Sequence, residues 1–136
     1  MSVFKGVATA LITPFSEGKP DHAALRQLVK MQIDAGVDAV VALGTTGEPA
    51  TMTKEEKIDV AQTVLDVAKG VIPVIIGAGG NDTAAAKKDA AFYEKMGADA
   101  ILSVTPYYNK CTQNGLILHY SAVANAINVP LIVYNV

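Results

Sequence analysis

The segment DAVVALGTTGEPATMTKEE, residues 38–56, joins a buried strand, a glycine-rich turn and a helix start. Its first seven residues, DAVVALG, form an apolar run after the leading Asp38, which is typical of a strand covered on both faces of a parallel sheet. Thr53 and Glu56 have the spacing of a capping box, so a helix is predicted to begin there. The segment therefore indicates a strand, a loop and a helix, the repeating unit of α/β folds.

Outward from this segment, similar apolar runs rich in β-branched residues recur along the chain. They start about 27–34 residues apart, which is the length of one strand-plus-helix unit. The sequence also contains an internal repeat. GVDAV (36–40) resembles GADAI (97–101), and IPVII (72–76) resembles VPLIV (129–133). The other four runs are GVATALIT (6–13), IPVIIGAG (72–79), DAILSVT (99–105) and VPLIVYN (129–135).

The segments between the predicted strands have the apolar periodicity of helices, and capping residues and glycines indicate where each helix begins and ends. The first helix is predicted from an N-cap at Asp21 to near Gly36, the third from Asn81 or Asp82 to Gly97, and the fourth from about Thr112 to Ala126.

The predicted order is β-α-β-α-β-α-β-α-β, in one domain that spans residues 1–136. Right-handed crossovers then give a parallel sheet whose strands all end at the same edge. Two architectures fit this order. One is the N-terminal part of a (β/α)8 TIM barrel, ending after the fifth strand; the other is an open five-stranded parallel sheet with helices on both faces. Ligands bind at the carboxyl ends of the strands in both.

Composition excludes several classes of partner. The 136 residues are 51% apolar and 18% charged, with a net charge of −2, so neither nucleic acid nor an anionic membrane is an expected partner. No apolar run approaches the roughly 18 residues that a membrane span needs. Cys111 is the only cysteine, so no disulfide framework or cysteine metal site is expected, and a cytoplasmic location is predicted.

The turn GTTGE, residues 44–48, follows the second predicted strand at the functional edge. Its glycines allow unusual φ angles, so that successive backbone N–H groups can converge on one point. The hydroxyls of Thr45 and Thr46 add donors, and the combination suits a small anion such as a carboxylate. The alternative is a turn whose threonines only satisfy the local backbone.

Tyrosines follow the last two predicted strands: Tyr107 and Tyr108 after the fourth, and Tyr134 at the end of the fifth. Tyrosine hydroxyls near other hydroxyls can transfer protons, although the same residues could instead cap the sheet or fill an interface. Lys110 is the lysine nearest this edge, and no lysine lies inside a buried strand. His22 and His119 lie on predicted helices without a metal-binding pattern.

The motifs TALITPF (9–15), GTTGE (44–48), VTPYYNK (104–110) and YNV (134–136) resemble the pyruvate-dependent class I aldolases. That family includes dihydrodipicolinate synthase and N-acetylneuraminate lyase, and the resemblance is closest to the first. It implies a (β/α) barrel that condenses pyruvate with aspartate semialdehyde through a Schiff base, in the diaminopimelate route to lysine. It further implies no cofactor or metal, and assembly into homodimers or homotetramers.

The resemblance also assigns roles to residues of this chain. Thr45 and Thr46 match the threonines that hold the pyruvate carboxylate, and Thr45, Tyr108 and Tyr134 match the proton relay. Tyr134 would act as proton donor and acceptor while the Schiff base forms, and Tyr108 would reach into the site of a neighbouring subunit.

A feedback pocket for lysine is implied as well, and Asn81 and Tyr107 match it. The position of its carboxylate is Ala85, and the positions of its histidines are Lys54 and Lys57, so we expect a poor response to lysine.

The family's Schiff-base lysine, on a sixth strand, and its substrate-binding arginine have no counterpart before Val136. The 136 residues alone are therefore expected to be inactive, and to self-associate or pair with a complementary C-terminal fragment. Two alternatives stay open: a sister aldolase such as a neuraminate or keto-deoxy-sugar lyase, and a non-catalytic module that binds a small carboxylate.

Overall fold

In a computed structural model of the protein, which describes residues 3–136, five parallel strands form one sheet with four helices packed against it. The elements are β1 (Ala8–Ala10), β2 (Phe15–Ser16), β3 (Lys19–Pro20), α1 (His22–Asp34), β4 (Ala39–Ala42), α2 (Lys54–Ala68), β5 (Val74–Gly77), α3 (Thr83–Met96), β6 (Ala100–Val104), α4 (Gln113–Ala124) and β7 (Leu131–Tyr134).

The strand order in the five-stranded sheet is β1-β4-β5-β6-β7, so these five strands lie side by side in the order in which they follow one another along the chain. An open doubly wound sheet would reverse this order partway and place helices on both faces. Without a reversal, right-handed crossovers put every helix on the same face. This order is that of a (β/α) barrel, and the alternative of an open sheet with helices on both faces is wrong.

The two faces of the sheet have different cores. Residues of all four helices pack in a single cluster against one face, where Val40, Val74 and Ile101 are fully buried. The opposite face, called the inner face below, has a smaller cluster of buried residues: Ala39, Val41, Ile75 and Ala100. The continuous apolar runs are explained by this burial on two sides.

Helix ends follow the predicted capping signals. The side chain of Asp21 accepts a hydrogen bond from the Ala24 N–H group at 2.9 Å, and both bonds of the Thr53–Glu56 capping box are present. Asp82, rather than Asn81, is the N-cap of α3. The last helix ends at Ala124, two residues earlier than predicted.

The internal repeat has a structural role. Asp38 and Asp99 each precede a strand. The Asp38 carboxylate accepts a hydrogen bond from the N–H group of Val7, just before β1, at 2.7 Å, and the Asp99 carboxylate accepts one from Val74, at the start of β5, at 2.8 Å. The repeated aspartates therefore fix the register at the amino ends of two strand pairs, and satisfy N–H groups that the sheet leaves without a partner.

A short antiparallel hairpin, β2–β3, was not predicted. Its two-residue loop consists of Glu17 and Gly18, which have φ angles of 51° and 76°. Positive φ at both positions is the geometry of the tight turns that suit a hairpin.

Candidate active site

A cleft with a volume of about 820 Å³ lies at the carboxyl ends of β4, β5, β6 and β7. Its walls include Thr45 from the turn after β4, Tyr107 and Tyr108 from the loop after β6, and Tyr134 at the end of β7. The cleft therefore brings together the Thr-Thr turn and all three tyrosines that the sequence placed at the functional edge. Thr46 is exposed beside Thr45 and does not line the cleft.

The turn after β4 is a short 3-10 helix, Thr45–Gly47, and its geometry differs from the prediction in one respect. The left-handed backbone angles belong to Leu43 and Glu48, with φ of 55° each, and not to the two glycines. Gly47 instead allows a close approach, since a Cβ there would lie 3.3 Å from the Leu11 carbonyl oxygen, a tight contact. The Thr13 hydroxyl donates to the Gly47 carbonyl at 2.8 Å and anchors the turn to the end of β1.

Free donors remain at the start of this turn. The N–H groups of Gly47 and Glu48 bond to carbonyls within the turn. In contrast, the N–H groups and hydroxyls of Thr45 and Thr46 form no hydrogen bond to any of residues 3–136. Unpaired N–H groups at a helix start attract anions. The local arrangement is thus suited to a carboxylate, as the composition of the turn indicated.

Glycines in and just after β5 allow its neighbours to come close at the floor of the cleft. A Cβ on Gly77 would lie 2.0 Å from the Leu43 carbonyl oxygen, and one on Gly79 would lie 2.3 Å from the Val104 nitrogen. Any side chain at either position would force the adjoining backbone apart.

The tyrosine loop after β6 is held by Asn81, whose side-chain oxygen accepts a hydrogen bond from the Tyr107 N–H group at 2.7 Å. The two residues of the implied feedback pocket are therefore in contact. Tyr108 has a left-handed φ of 65° and is 94% exposed. A bulky residue rarely adopts this conformation, and such strain is often found at functional sites.

Tyr134 is fixed by Thr105, a residue that sequence reasoning missed. The N–H group of Thr105 donates to the Tyr134 carbonyl at 2.8 Å. The hydroxyl of Thr105 lies 3.1 Å from the same carbonyl and 3.2 Å from the side-chain oxygen of Asn135. It also accepts a hydrogen bond of 2.9 Å from the Tyr120 hydroxyl. The position of Thr105 at the start of the TPYYN motif could have identified it as a site residue, whereas nothing in the sequence around Tyr120 indicated a role for that residue.

The three hydroxyls of the implied relay share the cleft without contacting one another. No hydrogen bond joins the side chains of Thr45, Tyr108 and Tyr134 within the described part of the chain. Tyr134 is 37% exposed. A bound substrate would therefore have to lie between these groups for a proton to pass among them.

Two lysines line the cleft: Lys110, which was expected near this edge, and Lys57 of α2, which was not. Tyr93 of α3 also lines it and was missed, because its place in the helix gave no signal. Its side chain is 6% exposed. Burial, reinforced by the nearby Asp89 carboxylate, raises the pKa of Tyr93 from 10.0 to about 12.

Each of the two histidines is hydrogen-bonded to a threonine of a neighbouring helix. The Nδ1 atom of His22 lies 2.8 Å from the Thr63 hydroxyl, and that of the buried His119 lies 2.8 Å from the Thr83 hydroxyl. Residues 3–136 contain no group of three or more His, Cys, Asp or Glu side chains placed to hold a metal ion. None of the helices between these limits is long and apolar enough to cross a membrane.

Comparison with known proteins identifies relatives along the whole described chain. The model of the dihydrodipicolinate synthetase family matches residues 3–136. The 4-hydroxy-tetrahydrodipicolinate synthase of Trichlorobacter lovleyi is 50% identical over 134 residues, which are 98% of this chain and 46% of the relative.

Solved structures of dihydrodipicolinate synthases match the fold of this chain. The dihydrodipicolinate synthase of Thermotoga maritima matches with a TM-score of 0.96 and 43% identity, over 99% of this chain and 46% of that one. The chloride-inhibited synthase of Acinetobacter baumannii, complexed with pyruvate, matches with a TM-score of 0.93 and 41% identity, over the same shares. The chain thus spans about half the length of these relatives, and its sheet corresponds to five strands of a (β/α)8 barrel.

Proposed function

The chain belongs to the dihydrodipicolinate synthetase family, and we propose that it carries the pyruvate-binding and proton-transfer part of a 4-hydroxy-tetrahydrodipicolinate synthase. This enzyme would be a lyase of diaminopimelate and lysine biosynthesis that joins pyruvate to aspartate semialdehyde through a Schiff base. The observation that carries the proposal is the cleft at the carboxyl ends of the strands, which Thr45, Tyr108 and Tyr134 all line.

The first substrate, pyruvate, would be held by its carboxylate. The unpaired N–H groups and hydroxyls of Thr45, which lines the cleft, and of Thr46, which is exposed beside it, provide donors at the start of the turn after β4. Hydrogen bonds to a charged acceptor are stronger than those between neutral groups. The pyruvate complex of the Acinetobacter baumannii relative supports pyruvate as the ligand.

Proton transfer would fall to Tyr134, with Thr45 and Tyr108 completing the relay. Tyr134 is held at its carbonyl by Thr105, and its side chain lines the same cleft as Thr45 of the turn that would hold the carboxylate. A positioned general acid–base group typically contributes about 10²–10⁴ in rate.

The Schiff base requires a lysine amine of lowered pKa, which burial away from water would provide. Lys57 lies on α2, and Lys110 is exposed in a loop, so neither is inside a buried strand. We propose that the amine comes from outside these 136 residues, on a strand that pairs with the free edge of β7. That strand would belong to the same polypeptide or to a complementary fragment.

The complete enzyme would act in the cytoplasm as a dimer or tetramer. Apolar side chains are exposed at both edges of the sheet, among them Val7 and Ile12 near β1 and Val133 and Val136 near β7. Apolar patches of this kind favour association with further chain.

The function is tested in the intact gene product that contains these residues. Thr45→Val removes one hydroxyl from the turn and should raise the KM for pyruvate, whereas Tyr134→Phe should lower kcat about 10²–10⁴-fold. Thr51→Val is the matched control, since the exposed Thr51 bonds only to the Glu48 carbonyl and does not line the cleft. A kcat of Tyr134→Phe within a few-fold of the parent would contradict the role of Tyr134.

Two further measurements separate the alternatives. Activity with N-acetylneuraminate or a keto-deoxy sugar acid, and none with aspartate semialdehyde, would identify a sister aldolase. Pyruvate binding without turnover in the intact gene product would identify a binding module. Borohydride trapping with pyruvate on residues 1–136 alone should give no adduct, and an adduct on Lys57 or Lys110 would refute an external amine.

A further inference from the structure

Two buried side chains carry polar atoms that have no hydrogen-bond partner in the described part of the chain. These atoms are the Ser103 hydroxyl oxygen and the Nε2 atom of His119. Ser103 is fully buried, and His119 is 5% exposed. Native proteins leave few buried polar groups unpaired, because each such group forfeits the hydrogen bonds that it makes with water when the chain is unfolded. The two atoms therefore indicate a ligand that the surrounding side chains do not replace.

Both side chains belong to the layer between the sheet and the helices. Ser103 shares one face of β6 with Ile101, two residues earlier, and Ile101 is buried in the core that all four helices cover. His119 lies four residues before Val123 on α4, and Val123 belongs to the same core. A ligand that bonds to both atoms would be enclosed between β6 and α4, away from bulk water.

Hydrogen bonds on either side of this layer hold the two residues at the same level of the fold. Tyr120, the residue after His119, donates to the Thr105 hydroxyl at 2.9 Å. Thr105 lies two residues beyond Ser103. The Nδ1 atom of His119 lies 2.8 Å from the hydroxyl of Thr83, the first residue of α3, and α3 also contacts β6. The three elements β6, α3 and α4 thus converge around the two unpartnered atoms.

The chemistry of the pair fits a water molecule. In a neutral imidazole one nitrogen donates and the other accepts, so Nε2 of His119 needs an acceptor or a donor according to the direction of the bond at Nδ1. Water can fill either role and can also bond to the Ser103 hydroxyl, whereas an ion would lose its hydration in an apolar layer. Buried waters make about 2–4 hydrogen bonds to groups of this kind. We propose that Ser103 and His119 bind one internal water molecule that joins β6 to α4.

The water bridge also positions Tyr134. His119 and Tyr120 are consecutive on α4, and their rings pack edge to face with centroids 5.3 Å apart. Tyr120 bonds to Thr105, whose hydroxyl lies 3.1 Å from the Tyr134 carbonyl. A bridge that fixes His119 against the sheet therefore fixes the contact behind Tyr134. This consequence rests on the proton-transfer role proposed above for Tyr134, whereas the water site itself does not.

A crystal structure of the intact gene product, at a resolution that shows ordered water, tests the site directly. We expect one water molecule within about 3.2 Å of both the Ser103 hydroxyl and the Nε2 atom of His119. Absence of this water would overturn the proposal. A direct hydrogen bond between the two side chains, or another protein partner for either atom, would overturn it as well.

Urea unfolding of the same protein tests whether the two residues share the water. Ser103→Ala should raise the equilibrium constant of unfolding about 5–30-fold, because the His119 side of the bridge loses its partner. Removal of a hydroxyl that was unpaired would instead be neutral or stabilising. Ser121→Ala makes the same substitution at an exposed position of α4 and should change the constant less than about three-fold.

A double-mutant cycle with His119→Phe assigns the loss to the pair. In that background Ser103→Ala should change the unfolding constant less than about two-fold, since the bridge is already broken. Independent, additive losses would refute a shared water.

The activity of the same variants tests the positioning role. Ser103→Ala should lower kcat about three- to ten-fold and change the KM for pyruvate less than about two-fold, since a small displacement of a catalytic group is costly. In a Tyr134→Phe background it should lower kcat no further. An unchanged kcat in Ser103→Ala, or an equal loss in Ser121→Ala, would overturn the positioning role. Full activity of Tyr134→Phe would instead contradict the function proposed above, and the crystallographic and unfolding results do not depend on that outcome.

Discussion

Thr105→Val tests the hydrogen-bonded junction that holds Tyr134 at the edge of the cleft. The Thr105 hydroxyl has one proton, which it can donate either to the Tyr134 carbonyl at 3.1 Å or to the Asn135 side chain at 3.2 Å. It accepts a second bond from the Tyr120 hydroxyl at 2.9 Å. Valine has nearly the same shape and makes neither bond. At about 0.5–1.5 kcal/mol net for each bond, the expected loss in the free energy of unfolding is about 1–3 kcal/mol.

Urea unfolding of the intact gene product measures this loss, and a double-mutant cycle assigns part of it to one contact. Tyr120→Phe removes the donor while keeping the ring, so the cycle with Thr105→Val isolates the bond between the two hydroxyls. We expect a coupling energy of about 0.5–1.5 kcal/mol. Thr51→Val serves as control, because the Thr51 hydroxyl makes one exposed hydrogen bond, to the Glu48 carbonyl and not to this junction, and the substitution should cost less than about 0.5 kcal/mol.

The activity of the same variants shows whether the junction positions Tyr134. If it does, Thr105→Val should lower kcat about ten-fold or more, since small displacements of a catalytic group are costly, while KM for pyruvate changes less. Additive losses for Thr105→Val and Tyr120→Phe would refute the bond between the two hydroxyls. An unchanged kcat despite the lost stability would refute the positioning role.

Three other predictions follow from close contacts, burial and charge. Gly77→Ala should destabilise the protein by about 1–3 kcal/mol, because the new Cβ would lie 2.0 Å from the Leu43 carbonyl oxygen; Gly80→Ala, which meets nothing within 4 Å, is the control, and equal thermal unfolding temperatures would contradict the close approach. The pKa of Tyr93 is raised from 10.0 to about 12 in the native state. The free energy of unfolding should therefore be unaffected by the ionisation of Tyr93 below pH 10, and should fall by about 2–3 kcal/mol as the pH rises through 12. Tyr93→Phe should remove that fall, and a variant with the same pH profile as the parent would contradict the role of Tyr93. L-lysine at sub-millimolar concentration should not inhibit the intact enzyme, since Ala85 replaces the carboxylate of the implied feedback pocket, and inhibition at that concentration would contradict this reading.

Much of the fold was predictable because each signal was local and repeated. Pro73 and Pro130 belong to the repeated segments IPVII and VPLIV; each immediately precedes its strand and accepts through its carbonyl, from Val40 at 3.1 Å and from Ile101 at 2.9 Å. The choice between a barrel and an open sheet was not predictable in this way. It depends on strand order, which is set by long-range pairing and leaves no mark on the pattern of any one strand.

The candidate site was predictable in its residue types but not in its detailed geometry. Parallel strands end at one edge, so Thr45 and Tyr134 had to lie at the same edge of the sheet once the strands were identified. The left-handed positions were assigned to glycines, whereas Leu43 and Glu48 adopt them. Local propensity favours glycine there, and the packing of the turn against Leu11 and Thr13 overrides it.

The last strand connects the fold to the proposed function. Leu131 and Val133 share one face of β7 and alternate with Ile132 and Tyr134 on the other. Ile132 packs with the inner-face cluster, so Tyr134 emerges on the inner side, toward the mouth of the cleft. Val133 lies on the same side of β7 as Leu131, which is the side that the helices cover, yet it is 52% exposed. A following helix in the barrel pattern would cover it. The same alternation that aims Tyr134 into the cleft therefore leaves an apolar side chain that a further α/β unit would bury. This supports the proposal that the Schiff-base amine is delivered by a strand beside β7.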